Sequence, residues 1–123
     1  LAKILLVDDE PEIRFLTRRM LEKEGHSVTE AENGEMALRM LQKDKPDLIL
    51  LDVRMPGLNG WEVCRRIKAD DKTKSIPVVM FTVRTSEEDI QKSVDYGANA
   101  HINKPFDKEE LLELVENMLR RSA

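Results

Sequence analysis

The sequence has a single cysteine, Cys64, so no disulfide can form within the chain, and the composition fits a reducing compartment. It has little net charge. Twenty-four acidic residues against 20 basic ones leave a formal −4, without the clustered basic excess that nucleic-acid binders carry, so direct binding of nucleic acid is not expected. Long apolar runs are missing as well. Stretches such as 77–81 are strand-length, far below the roughly 20 residues of a membrane span. The N-terminal run meets Asp8 and Asp9 too soon for a signal peptide. These absences predict a soluble, cytoplasmic protein with no membrane contact. No glycine-rich loop follows any apolar run, which argues against nucleotide binding. No repeat, linker or low-complexity segment interrupts the chain.

What is present is one domain's worth of chain. The 123 residues are 41% hydrophobic, enough for one core and a single domain over 1–123. Short β-type runs at 3–7, 27–30, 48–51, 78–81 and 100–102 alternate with helical patterns. Three of the runs are almost wholly apolar, as strands covered on both faces of a parallel sheet should be, whereas 27–30 and 100–102 read as edges. Ile13, Leu16, Met20 and Leu21 recur at helical spacing behind a first-turn Pro11, with Arg14, Arg18, Arg19 and Glu22 around the rest of the turn. Met36, Ala37, Met40 and Leu41 mark a second helix, and Trp61, Val63, Cys64 and Ile67 a third. The spacing of Cys64 and Trp61 makes the thiol a small core residue rather than a reactive one. Thr85 and Ser86 cap a fourth helix carrying Ile90 and Val94 and stopping at Gly97. Asp107 and Glu110 have capping-box spacing ahead of Leu111, Leu114, Val115 and Met118.

Five β/α units in this order give a doubly wound α/β sandwich, whose ligand site lies beyond the carboxyl ends of the strands. Chemistry-bearing residues stand at those ends. Asp8 and Asp9 follow the first strand, Asp52 the third, Thr82 the fourth and Lys104 the fifth. Taken singly, each has a plain structural explanation: an acidic helix start, a cap, a strand-end threonine, a Lys104-Pro105 turn. Together they make a site. Clustered carboxylates raise one another's pKa unless a cation compensates, and both a hard divalent ion and the Lys104 ammonium would do so. Mg²⁺ suits carboxylates combined with phosphate and water, and Mn²⁺ is a possible substitute. Lys104-Pro105 is an X-Pro bond where a cis peptide would aim the lysine inward.

The sequence resembles the response-regulator receiver family along its whole length. The residues that carry the likeness are Ile4 to Glu10 around Asp8-Asp9, Leu48 to Gly60 around Asp52 and Pro56, Val78 to Thr82, and Asn103-Lys104-Pro105-Phe106. The resemblance implies a flavodoxin-like (βα)5 fold with a five-stranded parallel sheet in the order 2-1-3-4-5. It implies that Asp52 accepts phosphate from a histidine kinase or phosphotransfer protein, and that Asp9, Asp52 and the Arg54 carbonyl ligate Mg²⁺, with Asp8 acting mostly through water. Thr82 would then move toward the phosphoryl group and bias the fourth helix, fifth strand and fifth helix toward an output domain or protein. It makes the chain a signalling switch rather than an enzyme, acting as a monomer or a phosphorylation-dependent dimer.

Two positions depart from the family pattern. His101 stands where an aromatic switch residue is usual, and reads equally well as a titratable switch and as an edge-strand side chain. Val83 stands where a very small residue is usual. With Arg54 and Arg84 it would rim the phosphoryl pocket and hinder an attacking water. A phosphatase of the haloacid-dehalogenase type shares the aspartate, hydroxyl, lysine and Mg²⁺, but needs a second carboxylate where this chain has Arg54. The predicted partner face, with Glu87, Glu88, Asp89, Lys92, Lys108, Glu109, Glu113 and Glu116, is mixed and acid-leaning. It lacks the acidic and arginine pattern by which winged-helix regulators of this family dimerise.

Overall fold

The computed structural model describes residues 1–82 and 87–122. Val83 and Arg84, expected at the pocket rim, and Thr85 and Ser86, expected as a cap, lie outside the described residues. The elements alternate as β1 (Lys3–Val7), α1 (Pro11–Lys23), β2 (Ser27–Ala31), α2 (Gly34–Leu41), β3 (Leu48–Asp52), α3 (Gly60–Ala69), β4 (Val78–Thr82), α4 (Glu87–Asp95), β5 (Ala100–Asn103) and α5 (Lys108–Ser122). The strands form one parallel sheet in the order β2-β1-β3-β4-β5, the expected flavodoxin-like order, with the two more polar strands at the edges. The order reverses between β1 and β3, so the chain leaving these two strands goes to opposite faces and opens a crevice at their carboxyl ends.

Alternate residues of each central strand feed two cores. Leu5, Val7, Ile49, Leu51, Val78 and Met80 pack with Ala37, Leu41, Val63, Cys64 and Ile67 of α2 and α3. Ile4, Leu6, Leu48, Leu50, Val79 and Phe81 pack with Leu21, Leu111, Val115 and Met118 of α1 and α5. Covered on both sides, β3 and β4 are buried at every position, which is why their sequences read as continuous apolar runs. Three helix starts, those of α2, α3 and α5, are capped by side chains. Asn33 and Asn59 side chains accept from the Met36 and Glu62 N–H groups at 2.8 and 3.0 Å, and Asp107 accepts from Glu110 N–H at 2.8 Å.

The structure corrects the sequence reading at three kinds of position. Four strands run one residue further than the β-type runs of the sequence, to Ala31, Asp52, Thr82 and Asn103. Asp52 pairs with Phe81 and Thr82 with Asn103, so backbone pairing extends these strands even where Asp and Asn have a low strand preference. Leu16 and Val94, expected on buried faces, are exposed; Thr17 and Ser93 are buried in their stead. For α4 the reason is Trp61, whose Nε1–H donates to the Ser93 hydroxyl at 3.2 Å and turns Ser93 rather than Val94 toward α3. Finally, Arg14, read from the sequence only as one of the polar residues around the turn of α1, has a largely buried side chain that acts as a clamp, as described below.

Cys64 is fully buried, and burial pushes its thiol up to about 11. The native protein is therefore expected to resist a chromogenic thiol reagent and to react stoichiometrically only once unfolded in urea. Rapid reaction of the folded chain would overturn this placement.

Candidate functional site

The carboxyl edge of the sheet gathers the predicted site residues. Asp8 immediately follows β1, Asp52 and Thr82 close β3 and β4, and Lys104 immediately follows β5. Asp8, Asp52 and Thr82 are buried; Asp9 and Lys104 are partly so. The Lys104 ammonium lies 2.6 Å from Asp8 Oδ2, 3.4 Å from Asp52 Oδ2 and 3.4 Å from Glu10 Oε1. The Lys104-Pro105 peptide is cis, as expected. One carboxylate oxygen from each of Asp8, Asp9, Glu10 and Asp52 lies within 4.8 Å of the others. Glu10, which the sequence offers only as part of an acidic helix start, is the unexpected member. It adds a fourth acid because its own N–H donates to Asp8 Oδ1 at 2.9 Å, folding the start of α1 back over the site.

Electrostatics follow from this crowding. Burial is the main force raising the Asp52 carboxyl, to about 7; Lys104 opposes it, Asp8 and Asp9 add to it, and the Arg54 N–H, 3.3 Å from Asp52 Oδ1, opposes it weakly. Burial also works against the Lys104 ammonium, but the hydrogen bond to Asp8 and the charges of Asp52, Asp8 and Glu10 outweigh it and raise its pKa. The site thus holds more negative charge than one lysine offsets. Its donors are all hard oxygen atoms, the set a small divalent ion such as Mg²⁺ takes, so the residues present fit that ion.

Neighbouring residues fix the site. Arg14 donates through Nη1 to the Asp8 carbonyl at 2.6 Å while its Nε bonds Glu30 at 3.1 Å, tying the acidic turn to edge strand β2. Arg18 also reaches Glu30, at 2.7 Å, and these partners hold the Glu30 carboxyl below its usual range. The Arg54 guanidinium, half-exposed, lies 3.7 Å from Asp89 of α4, linking the loop after β3 to that helix. His101 is half-buried on β5, paired with Met80. The Thr82 hydroxyl donates to Asn103 Oδ1 at 2.9 Å, a partner the sequence reading passed over. Among the described residues no helix is long and apolar enough to cross a membrane.

Comparison with known proteins agrees with this geometry. The family model described as "Response regulator receiver domain" matches residues 4–116. Protein PilH of Pseudomonas aeruginosa is 40% identical over 119 residues, covering 97% of this chain and 98% of PilH. The phosphate regulon transcriptional regulatory protein PhoB of the same organism is 41% identical over 98% of this chain, which spans about half (52%) of PhoB. Among solved structures, the receiver domain of a P. aeruginosa sensor histidine kinase, with a magnesium ion coordinated in its active-site cleft, superposes with a TM-score of 0.89. That likeness is at 30% identity and covers 96% of this chain and 97% of that one.

Proposed function

The chain belongs to the response regulator receiver domain family of two-component signalling, and from that membership we propose that Asp52 is its phosphoacceptor. The observation that carries the proposal is the placement of Asp52: buried at the end of β3, 3.4 Å from the Lys104 ammonium, and grouped with Asp8, Asp9 and Glu10. A carboxylate oxygen of Asp52 attacks the phosphorus of a phosphohistidine on a histidine kinase or phosphotransfer protein. The P–N bond breaks, the imidazole leaves with its electron pair, and an acyl phosphate forms.

Asp8, Asp9, Asp52 and the Arg54 carbonyl would hold Mg²⁺, or Mn²⁺ in its place. The magnesium in the cleft of the related receiver supports that assignment. When bound, the ion supplies charge neutralisation for the incoming phosphoryl group. Lys104 contacts the same phosphoryl oxygens as a point charge, and Thr82 donates its hydroxyl to one of them. Thr82, with His101 two residues before Thr82's partner in the next strand, then biases α4, β5 and α5 toward the form an output domain or protein recognises. The 123 residues act as one receiver unit, a switch whose only reactions are its own phosphorylation and dephosphorylation. The Arg54 guanidinium lies near Asp89 and has no carboxylate function to offer, which weighs against a phosphatase reading.

The test is labelling by acetyl phosphate, read by intact mass. One phosphoryl addition is expected in the wild type with Mg²⁺, with none in its absence and none in Asp52→Ala. Labelling that persists in the variant would move the acceptor elsewhere.

A further inference from the structure

Asn103 and Thr82 are partners in the last rung between β4 and β5, so their side chains project on the same face of the sheet. The Thr82 hydroxyl is buried and spends its proton on Asn103 Oδ1, at 2.9 Å. The backbone alongside is fixed independently, because Lys104 N–H donates to the Thr82 carbonyl at 2.6 Å. Backbone pairing with Thr82 and the Lys104 N–H bond therefore hold this rung without the Asn103 side chain. That side chain has a separate task.

A hydroxyl has one proton to donate. It cannot serve Asn103 Oδ1 and a phosphoryl oxygen at the same time. We propose that Asn103 is a positioning residue for the switch: its amide oxygen holds the Thr82 hydroxyl in the unphosphorylated state, and the hydroxyl must leave it to reach the phosphoryl group. This rests on the reading that Asp52 is the acceptor and Thr82 the hydroxyl donor. Each state satisfies the buried hydroxyl with a different acceptor, so the strength of the Asn103 contact sets how far the unphosphorylated protein lies toward rest. Removing it leaves that hydroxyl without this partner at rest and costs the phosphorylated state nothing.

The experiment uses beryllium fluoride, a phosphoryl mimic, with Mg²⁺ and the full chain, following bound fluoride by NMR. Loss of one neutral hydrogen bond from the resting state alone tightens mimic binding about five-fold. Asn103→Ala should show that gain, and Asn103→Leu, which fills the volume without an acceptor, should show it too. In a Thr82→Ala background the same substitutions should change nothing, which a merely structural role for Asn103 would not produce. Unchanged or weaker binding in both single variants overturns the proposal, as does an equal gain in the Thr82→Ala background. Failure of the underlying reading looks different: the wild type would bind no mimic with Mg²⁺, or Asp52→Ala would bind it equally well.

Discussion

Asp52→Asn should make the metal-free protein more stable at neutral pH, by about 2–4 kcal/mol, and should remove most of the stabilisation that Mg²⁺ gives the wild type. Burial raises the folded-state carboxyl to about 7, against an unfolded value of about 3.9. A raised folded pKa means that the folded state binds more protons than the unfolded one between those values. The group's contribution is therefore fully present below about pH 4 and is lost as pH rises to about 7. Each unit of difference is worth about 1.4 kcal/mol, which sets the upper end of the range. Asparagine removes the buried charge at nearly the same volume, so its curve should lack this loss. Carboxylates with lowered pKa values, such as Glu30 and Glu62, slope the other way, but they are common to both proteins and cancel in the difference. Mg²⁺ at 100 times its Kd adds about 2.7 kcal/mol to whatever binds it. Urea unfolding from pH 4.5 to 8, in chelator and then in Mg²⁺, measures all of this. A difference between the two proteins that stays flat with pH in chelator would show that Asp52 carries no buried charge to relieve.

The same placement explains how much of the molecule was legible from the sequence. Continuous apolar runs at 48–51 and 78–81 give away strands buried on both faces, and their ends point to Asp52 and Thr82. Asp8 and Lys104 are readable for the same reason, because a doubly wound sheet can only bring strand ends together at one edge. Asn103 and Arg14 are not readable that way. Asn103 matters through its register with Thr82, which depends on how two strands slide against each other. Arg14 lies on a helix rich in arginine, and only the approach of Glu30 and the Asp8 carbonyl separates it from Arg18 and Arg19. Helical periodicity likewise locates a buried face to within about a residue. Thr17 and Ser93 take the inner positions expected for Leu16 and Val94, and for Ser93 the deciding partner, Trp61, comes from another helix. The loop after β3 holds the remaining device that sequence pattern alone leaves ambiguous, a pair of glycines with different duties.

Gly60→Ala is the substitution expected to damage this loop most. A Cβ at Gly60 would lie 2.1 Å from the Asp52 carbonyl oxygen, 2.8 Å from Val53 Cα and 2.9 Å from the Asp52 carbonyl carbon, all backbone atoms that cannot rotate away. Gly60 N–H also donates to the Val53 carbonyl at 2.9 Å, so the start of α3 is seated directly on Asp52 and Val53. Relief requires α3 to lift or the end of β3 to shift, and β3 is buried on both faces. The cost should be about 3 kcal/mol or more, at the upper end for overpacking. Gly57 provides the comparison. Its φ of +76° disfavours a side chain, yet a Cβ there would meet only the Glu35 carboxylate, at 3.3 Å. Gly57→Ala should therefore cost about 1–2 kcal/mol, the left-handed penalty alone. Function should separate the two further. Gly57→Ala leaves Asp52 seated and should label with acetyl phosphate nearly as wild type does. Gly60→Ala displaces the backbone of Asp52, the proposed acceptor, so whatever fraction folds should label at least ten-fold more slowly. Urea midpoints together with labelling rates test both parts. Equal destabilisation of the two variants would mean that α3 yields freely to the added methyl. Normal labelling of folded Gly60→Ala would mean that its seating against Asp52 does not position the carboxylate.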